Sequence, residues 1–189
     1  IMLHVTNPML SYYEQMEAVF KTYTFLLQNE LHGASSIFKR FFFIDSANQT
    51  DLLLARMIED SDCALSVVQQ PPLDGTKIAL WAHLLTNVKT NMLPNGLFEV
   101  KYGKYRQLWL GGCSNKAANS EYQMRLLLND YVMQLMEENC TLEANCLRTW
   151  IFVQNVDCNY AGAVKARNEV FATQNLTENT HYIASTGIE

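Results

Sequence analysis

Apolar residues recur every three to four positions through Tyr12, Met16, Val19, Tyr23, Leu26, Leu27 and Leu31. That spacing predicts a core-facing helix, entered at Ser11 and ended at Gly33. Residues 36–45 then read as a strongly apolar strand. A second helix is expected from Asn48 through Leu52, Leu53, Ala55, Arg56 and Ile58, and a β-rich run over 63–69 is halted by Pro71-Pro72. Asp74-Gly75 predicts a tight turn into a long strand over 77–85, and residues 97–102 and 105–110 flank Gly103-Lys104 as a hairpin. After Gly111-Gly112, Asn119 and Ser120 cap a helix from 121 to about 139. Residues 1–10 fit either a short strand or an extended lead-in ended by Asn7-Pro8.

The last stretch begins with strict alternation. Leu147, Thr149, Ile151 and Val153 fall on one face of a strand, and Arg148, Trp150, Phe152 and Gln154 on the other. A turn over 155–159 leads to a helix from Tyr160 to Phe171, a polar loop over 174–180, and a strand running into Ser185-Thr186-Gly187. Strand, helix, strand with short connections predicts a sheet with helices packed on one side.

These two rounds also align with each other. Residues 25–45 (FLLQNELHGASSIFKRFFFID) lie over 133–153 (MQLMEENCTLEANCLRTWIFV) at a constant offset of 108, which matches Arg40 to Arg148, Phe42 to Trp150 and Glu30 to Glu138. A three-residue insertion then matches Arg56 to Arg167. The chain therefore reads as an internal duplication, long helix, strand, second helix, strand in each half.

At 189 residues and 49% hydrophobic content the chain is long enough for one domain or two small ones. A net charge of −5 with no lysine or arginine run argues against sequence-independent binding to nucleic acid. No run approaches the roughly 18 apolar residues of a membrane span. Five cysteines without a CxxC pair read as reduced thiols, which suggests the cytoplasm and no structural metal site. The four histidines are scattered without ligand spacing, and His83 reads as a core or interface histidine. Cys113 has no base beside it that would make it a nucleophile.

The runs RTWIF (148–152), VKARNEVF (164–171) and ASTGIE (184–189), with QQPPLDGTKIALW (69–81), resemble the YjgF/YER057c/UK114 superfamily of RidA-type proteins. These proteins carry the old labels endoribonuclease L-PSP and translation initiation inhibitor. Within the superfamily the runs are most similar to the chorismatase-like branch. The resemblance implies an α/β (α+β) fold of two tandem RidA/YjgF-like (bacillus chorismate mutase-like) units with mixed sheets and helices on one face. The first unit would span 1–95 and the second 96–189, the second lacking its closing strands and exposing a strand edge prone to self-association. The implied function is that of a cofactor-free hydrolase or lyase acting on chorismate or a similar small anionic enol ether, with this chain lacking that activity. The alternative is a non-catalytic small-ligand-binding or regulatory protein, and a homo-oligomer fits either.

On this reading the ligand-binding candidates are Arg148, Arg167, Ser185, Thr186, Gly187 and Gly75. Arg148, taken as buried among aromatics, needs an anionic partner: a substrate carboxylate, or an internal carboxylate such as Asp130 or Glu137. Arg167 is either a ligand contact or solvated helix surface. Ser185-Thr186-Gly187 offers hydroxyls and an approachable backbone. RidA-type imine deaminases hold the substrate carboxylate with an arginine just before this place. Here Ile183 and Ala184 stand there instead. Glu189 is a candidate general acid or base, the catalytic residue being otherwise unknown, and no metal or cofactor is expected.

Overall fold

A computed structural model of the chain describes residues 1–43, 49–58 and 62–188. It is a mixed α and β structure that divides into two compact units, Ile1–Gly112 and Cys113–Glu189.

The first unit contains β1 (Met2–His4), α1 (Tyr12–Asn29), β2 (Ala34–Phe43), α2 (Thr50–Ile58), β3 (Ala64–Val68) and β4 (Ile78–Thr86), followed by β5 (Lys89–Met92), β6 (Phe98–Tyr102) and β7 (Tyr105–Trp109). Ser11 starts α1 with a reciprocal cap, its hydroxyl accepting from the Glu14 amide while the Glu14 carboxylate accepts from the Ser11 amide. Strands run in the order β1-β4-β2-β3, with β2 and β3 parallel and β2 and β4 antiparallel. One sheet face packs Phe41, Phe43, Ile78 and Leu80 against Met16, Phe20 and Tyr23 of α1 and Leu53 and Met57 of α2. The ends of the strand and helix expected at Ile44, Asp45 and Asn48 lie outside the described residues.

The other face explains why the first unit extends to Gly112 rather than ending near residue 95. Phe98 and Val100 of β6, with Trp109 of β7, join Ile37, Phe38, Cys63 and Ala64 in a separate apolar cluster. Burying those side chains binds the hairpin to the first unit. β5 is an element the apolar pattern does not announce, because all four of its residues are exposed and it is held through backbone pairing with β6. The Asn95-Gly96 pair in the connection is its signal in the sequence.

Glu99 on β6 is buried, with Lys101 and Arg106 as ion-pair partners. The Lys101 hydrogen bond, and after it Arg106, holds its carboxyl below the usual carboxylate range. A depressed folded-state pKa contributes stability that is complete above the unfolded value of about 4.3 and is lost as pH falls through the lower folded value. Glu99→Gln should therefore lower the urea midpoint of the first unit at pH 7 and shrink the loss of midpoint between pH 5 and pH 3. An unchanged acid limb would show that Glu99 does not set it.

The second unit contains α3 (Ser120–Glu137), the short α4 (Leu142–Asn145), β8 (Arg148–Phe152), α5 (Val156–Thr173) and β9 (Ala184–Ile188). Asn119 caps α3 through its side chain. α5 begins four residues before the expected Tyr160, since Asp157 in its first turn suits the positive helix end and Asn159 donates back to the Gln154 carbonyl. Met124, Leu128 and Leu135 of α3 and Ala163, Ala166, Val170 and Phe171 of α5 form the core with Val153 and Ile151. Salt bridges from Arg125 to Glu169 and from Lys165 to Glu121 join α3 to α5, and Arg125 also pairs with Glu121 within α3. Both bounds of α3 fall 108 positions after those of α1. In each unit a long helix precedes two parallel strands joined through a helix.

Candidate functional site

Parallel strands β8 and β9 place Arg148 beside Ala184, Thr149 beside Ser185, Trp150 beside Thr186, Ile151 beside Gly187 and Phe152 beside Ile188. Ile151 packs into the helix-side core, and Gly187 faces Tyr160 of α5. Alternation therefore puts Thr149, Ile151, Ser185 and Gly187 on the helix side, and Arg148, Trp150, Phe152, Thr186 and Ile188 on the opposite face.

Arg148 is exposed, not buried as its aromatic neighbours suggested, because α3 and α5 cover the other side of this sheet. Its Nη2 donates to Thr186 Oγ1 at 3.0 Å, and its guanidinium lies 5.0 Å from the Trp150 ring centre. Among the described residues Thr186 is its hydrogen-bonding side-chain partner, and neither Asp130 nor Glu137 pairs with it. An arginine carries five N–H donors in a planar fork, so most of this one remains available to an anion.

Of the remaining candidates, Ser185, Gly187 and Arg167 do not join this pair. Ser185 Oγ accepts from Thr149 Oγ1 at 2.9 Å within the helix-side layer. An added Cβ at Gly187 would sit 3.1 Å from Tyr160 Cε2, a tight contact to which the ring would have to yield. Arg167 donates to its neighbour Asn168 and lies 6.0 Å from the Phe171 ring centre. Beside it, between Tyr160, Ile151 and Gly187, is a crevice of about 10 Å³, too small for more than one water. Arg148 and Arg167 thus stand on opposite sides of the β8–β9 sheet and cannot grip one small ligand together. Gly75 lies in the first unit, in a turn at φ 79°, where Asp74 accepts from the Thr76 amide and hydroxyl and pairs with His4. Glu189 lies outside the described residues.

The other chemically suggestive side chains are structural. The His83 ring stacks on Trp109 at 5.3 Å, and burial, with the N-terminal amino group, pulls its pKa below the usual range. Burial and Asp130 push the Cys113 thiol up, which works against a nucleophilic thiolate. None of the five cysteines forms a disulfide, and no metal-holding group of histidine, cysteine or carboxylate side chains occurs among the described residues. Among these residues no helix is long and apolar enough to cross a membrane.

Comparison with protein-family models, with curated proteins and with solved structures finds no match for this chain. Sequence reasoning named Arg148 and Thr186 but not their pairing across the parallel register. That pairing follows once Trp150 is set beside Thr186.

Proposed function

We propose that the chain is a small-ligand protein of the YjgF/RidA type, built from two such units, and that it binds a small anionic carboxylate at the Arg148–Thr186 pair. The observation that carries this reading is the exposed guanidinium, steadied by a hydroxyl and an indole and without a carboxylate partner among the described residues. A positioned arginine fork with spare donors suits a carboxylate. The recurrence of helix, strand, helix and parallel strand in the two units supports the tandem architecture. Under the resemblance the ligand is chorismate or a similar enol ether.

In the chorismatase-like branch such binding leads to hydrolysis or elimination without a cofactor, and that chemistry needs a carboxylic acid to protonate the substrate. Among the described residues no carboxyl group hydrogen-bonds to Arg148 or Thr186. These residues supply an anion grip and not the acid, so the reading they support best is binding without turnover. Hydrolase or lyase activity is the second reading and requires an acid from elsewhere. Cysteines outside any disulfide fit a reducing compartment such as the cytoplasm.

Calorimetry with chorismate tests the grip. Arg148→Ala should weaken binding by about 1.5 to 3 kcal/mol, the scale of a hydrogen bond to a charged group. Unchanged affinity in a folded variant would remove the reading. Consumption of chorismate by the unsubstituted chain would select the enzyme over the binding protein.

A further inference from the structure

We propose that the outer edge of β5 takes an extended acidic segment of a partner protein as a fourth strand of the β5–β6–β7 sheet. This surface belongs to the first unit and does not depend on the carboxylate site of β8 and β9. Its backbone and its charge point to the same occupant.

β5 stands at the end of its sheet and pairs with β6 from Lys89↔Lys101 to Met92↔Phe98. One position further on, the Leu93 amide donates to the Leu97 carbonyl. Bonded and non-bonded pairs alternate along an antiparallel ladder. Leu93, Asn91 and Lys89 therefore turn their N–H and C=O toward β6, and Thr90 and Met92 turn theirs outward. No hydrogen bond takes these outward groups among the described residues, and all four residues of β5 are exposed. The strand carries neither a proline nor a bulge, the devices that commonly close an edge to pairing.

Lys89, Lys101 and Arg106 lie directly opposite one another across β5, β6 and β7, so three cations form one row on one face. Like charges so placed repel. Glu99 is already shared by Lys101 and Arg106, and Lys89 has no ion-pair partner among the described residues. From Lys77 to Gly112 the five cations at 77, 89, 101, 104 and 106 face one acid, Glu99, although the whole chain carries a net charge of −5.

A strand laid beside β5 meets Lys89 at a non-bonded position, where opposite side chains approach most closely, and a carboxylate there relieves the repulsion along the row. On the other face its residues meet Thr90 and Met92, which suit β-branched partners. The edge thus fits a segment that alternates acidic with β-branched residues, added by main-chain pairing. A second copy of β5 would bring two cationic rows together, and a nucleic acid has no N–H ladder to offer the outward carbonyls.

The test follows the fluorescence anisotropy of a short labelled peptide, capped at both ends, that alternates glutamate with valine and threonine. A counterpart with lysine for glutamate and an oligothymidylate are titrated beside it on the whole chain. The glutamate peptide should bind about ten-fold more tightly than its lysine counterpart, less so as salt rises. It should also slow amide exchange at Thr90 and Met92. Thr90→Pro removes an outward N–H without touching the ladder to β6, so it should abolish peptide binding at an unchanged urea midpoint. Lys89→Glu should weaken binding about ten-fold. Arg148→Ala should leave it unchanged, which separates failure here from failure of the carboxylate site. Should Thr90→Pro fail to fold, Lys89→Glu and the amide exchange of the unsubstituted chain decide. No binding of the glutamate peptide, or binding that slows neither amide or survives Thr90→Pro, would overturn strand addition. Equal binding of the two peptides would overturn the acidic partner. Loss of binding in Arg148→Ala, or oligothymidylate bound more tightly than the peptide and released by Lys89→Glu, would overturn the proposal in favour of the carboxylate site or of a nucleic acid.

Discussion

Phe41→Ala should lower the stability of the first unit by about 3 to 5 kcal/mol, the range for truncating a buried phenylalanine. Phe41 has no exposed surface and lies in the middle of β2, with its ring stacked on Phe20 of α1 at 5.1 Å. Removing it takes the central contact from the sheet face that α1 and α2 cover, and the surrounding strands, fixed by pairing on both sides of β2, have little freedom to close the void. The protein has three tryptophans, of which Trp81 and Trp109 belong to the first unit. In a Trp150→Phe background, fluorescence therefore reports that unit alone, which matters because a chain of two units need not unfold in one step. A urea midpoint shifted by less than the equivalent of 1 kcal/mol, at unchanged slope, would show that the α1–β2 contact is not the centre of this core.

The parts of the fold that were legible are those in which local chemistry and tertiary packing agree. α1 carries its apolar stripe and its Ser11–Glu14 cap within one short stretch, and α3 is announced by Asn119 in the same way. The β2 and β8 strands are apolar enough to be found without context. β5 is not, because Lys89, Thr90 and Asn91 take their place from backbone hydrogen bonds to β6, which periodicity of side chains does not encode. The attachment of the β6–β7 hairpin to the first unit was hidden for a related reason. Which apolar face Phe98 and Trp109 seek is a tertiary fact, and two sheet faces were available to them.

The site was legible to the same limit. A period of two assigns Arg148 and Trp150 to one face, but does not say whether that face is covered, so an arginine among aromatics reads as buried when it is exposed. The same period separates Thr186 from Ser185 and Gly187, so that triplet cannot act as a single grip once it is a strand. Arg167 is placed by the helix α5, whose contacts with β8 and β9 belong to the far side of the sheet from Arg148. What remains is smaller than the resemblance implied, one arginine with one hydroxyl and one indole.

The proposed duplication makes the two arginines controls for each other, and they should respond in opposite ways. Arg40 is 7% exposed between Phe38, Trp81 and Ser66, so Arg40→Ala removes two desolvated cation–π contacts and the donor to Ser66, and leaves a void. Contacts of this kind are worth about 2 kcal/mol when desolvated, and a buried hydrogen bond to a charge about 1.5 to 3, so a net loss of about 3 kcal/mol is expected after the relief of burying the charge. Arg148→Ala, on an exposed guanidinium, should change stability by less than about 0.5 kcal/mol. The checks are urea midpoints and chorismate affinity on both variants. Arg40→Ala should lose stability and, where folded, keep its affinity; Arg148→Ala should do the reverse. Equal stability losses at the two positions would mean that Arg148 serves the fold as Arg40 does, and Arg148 would then have no claim to a ligand.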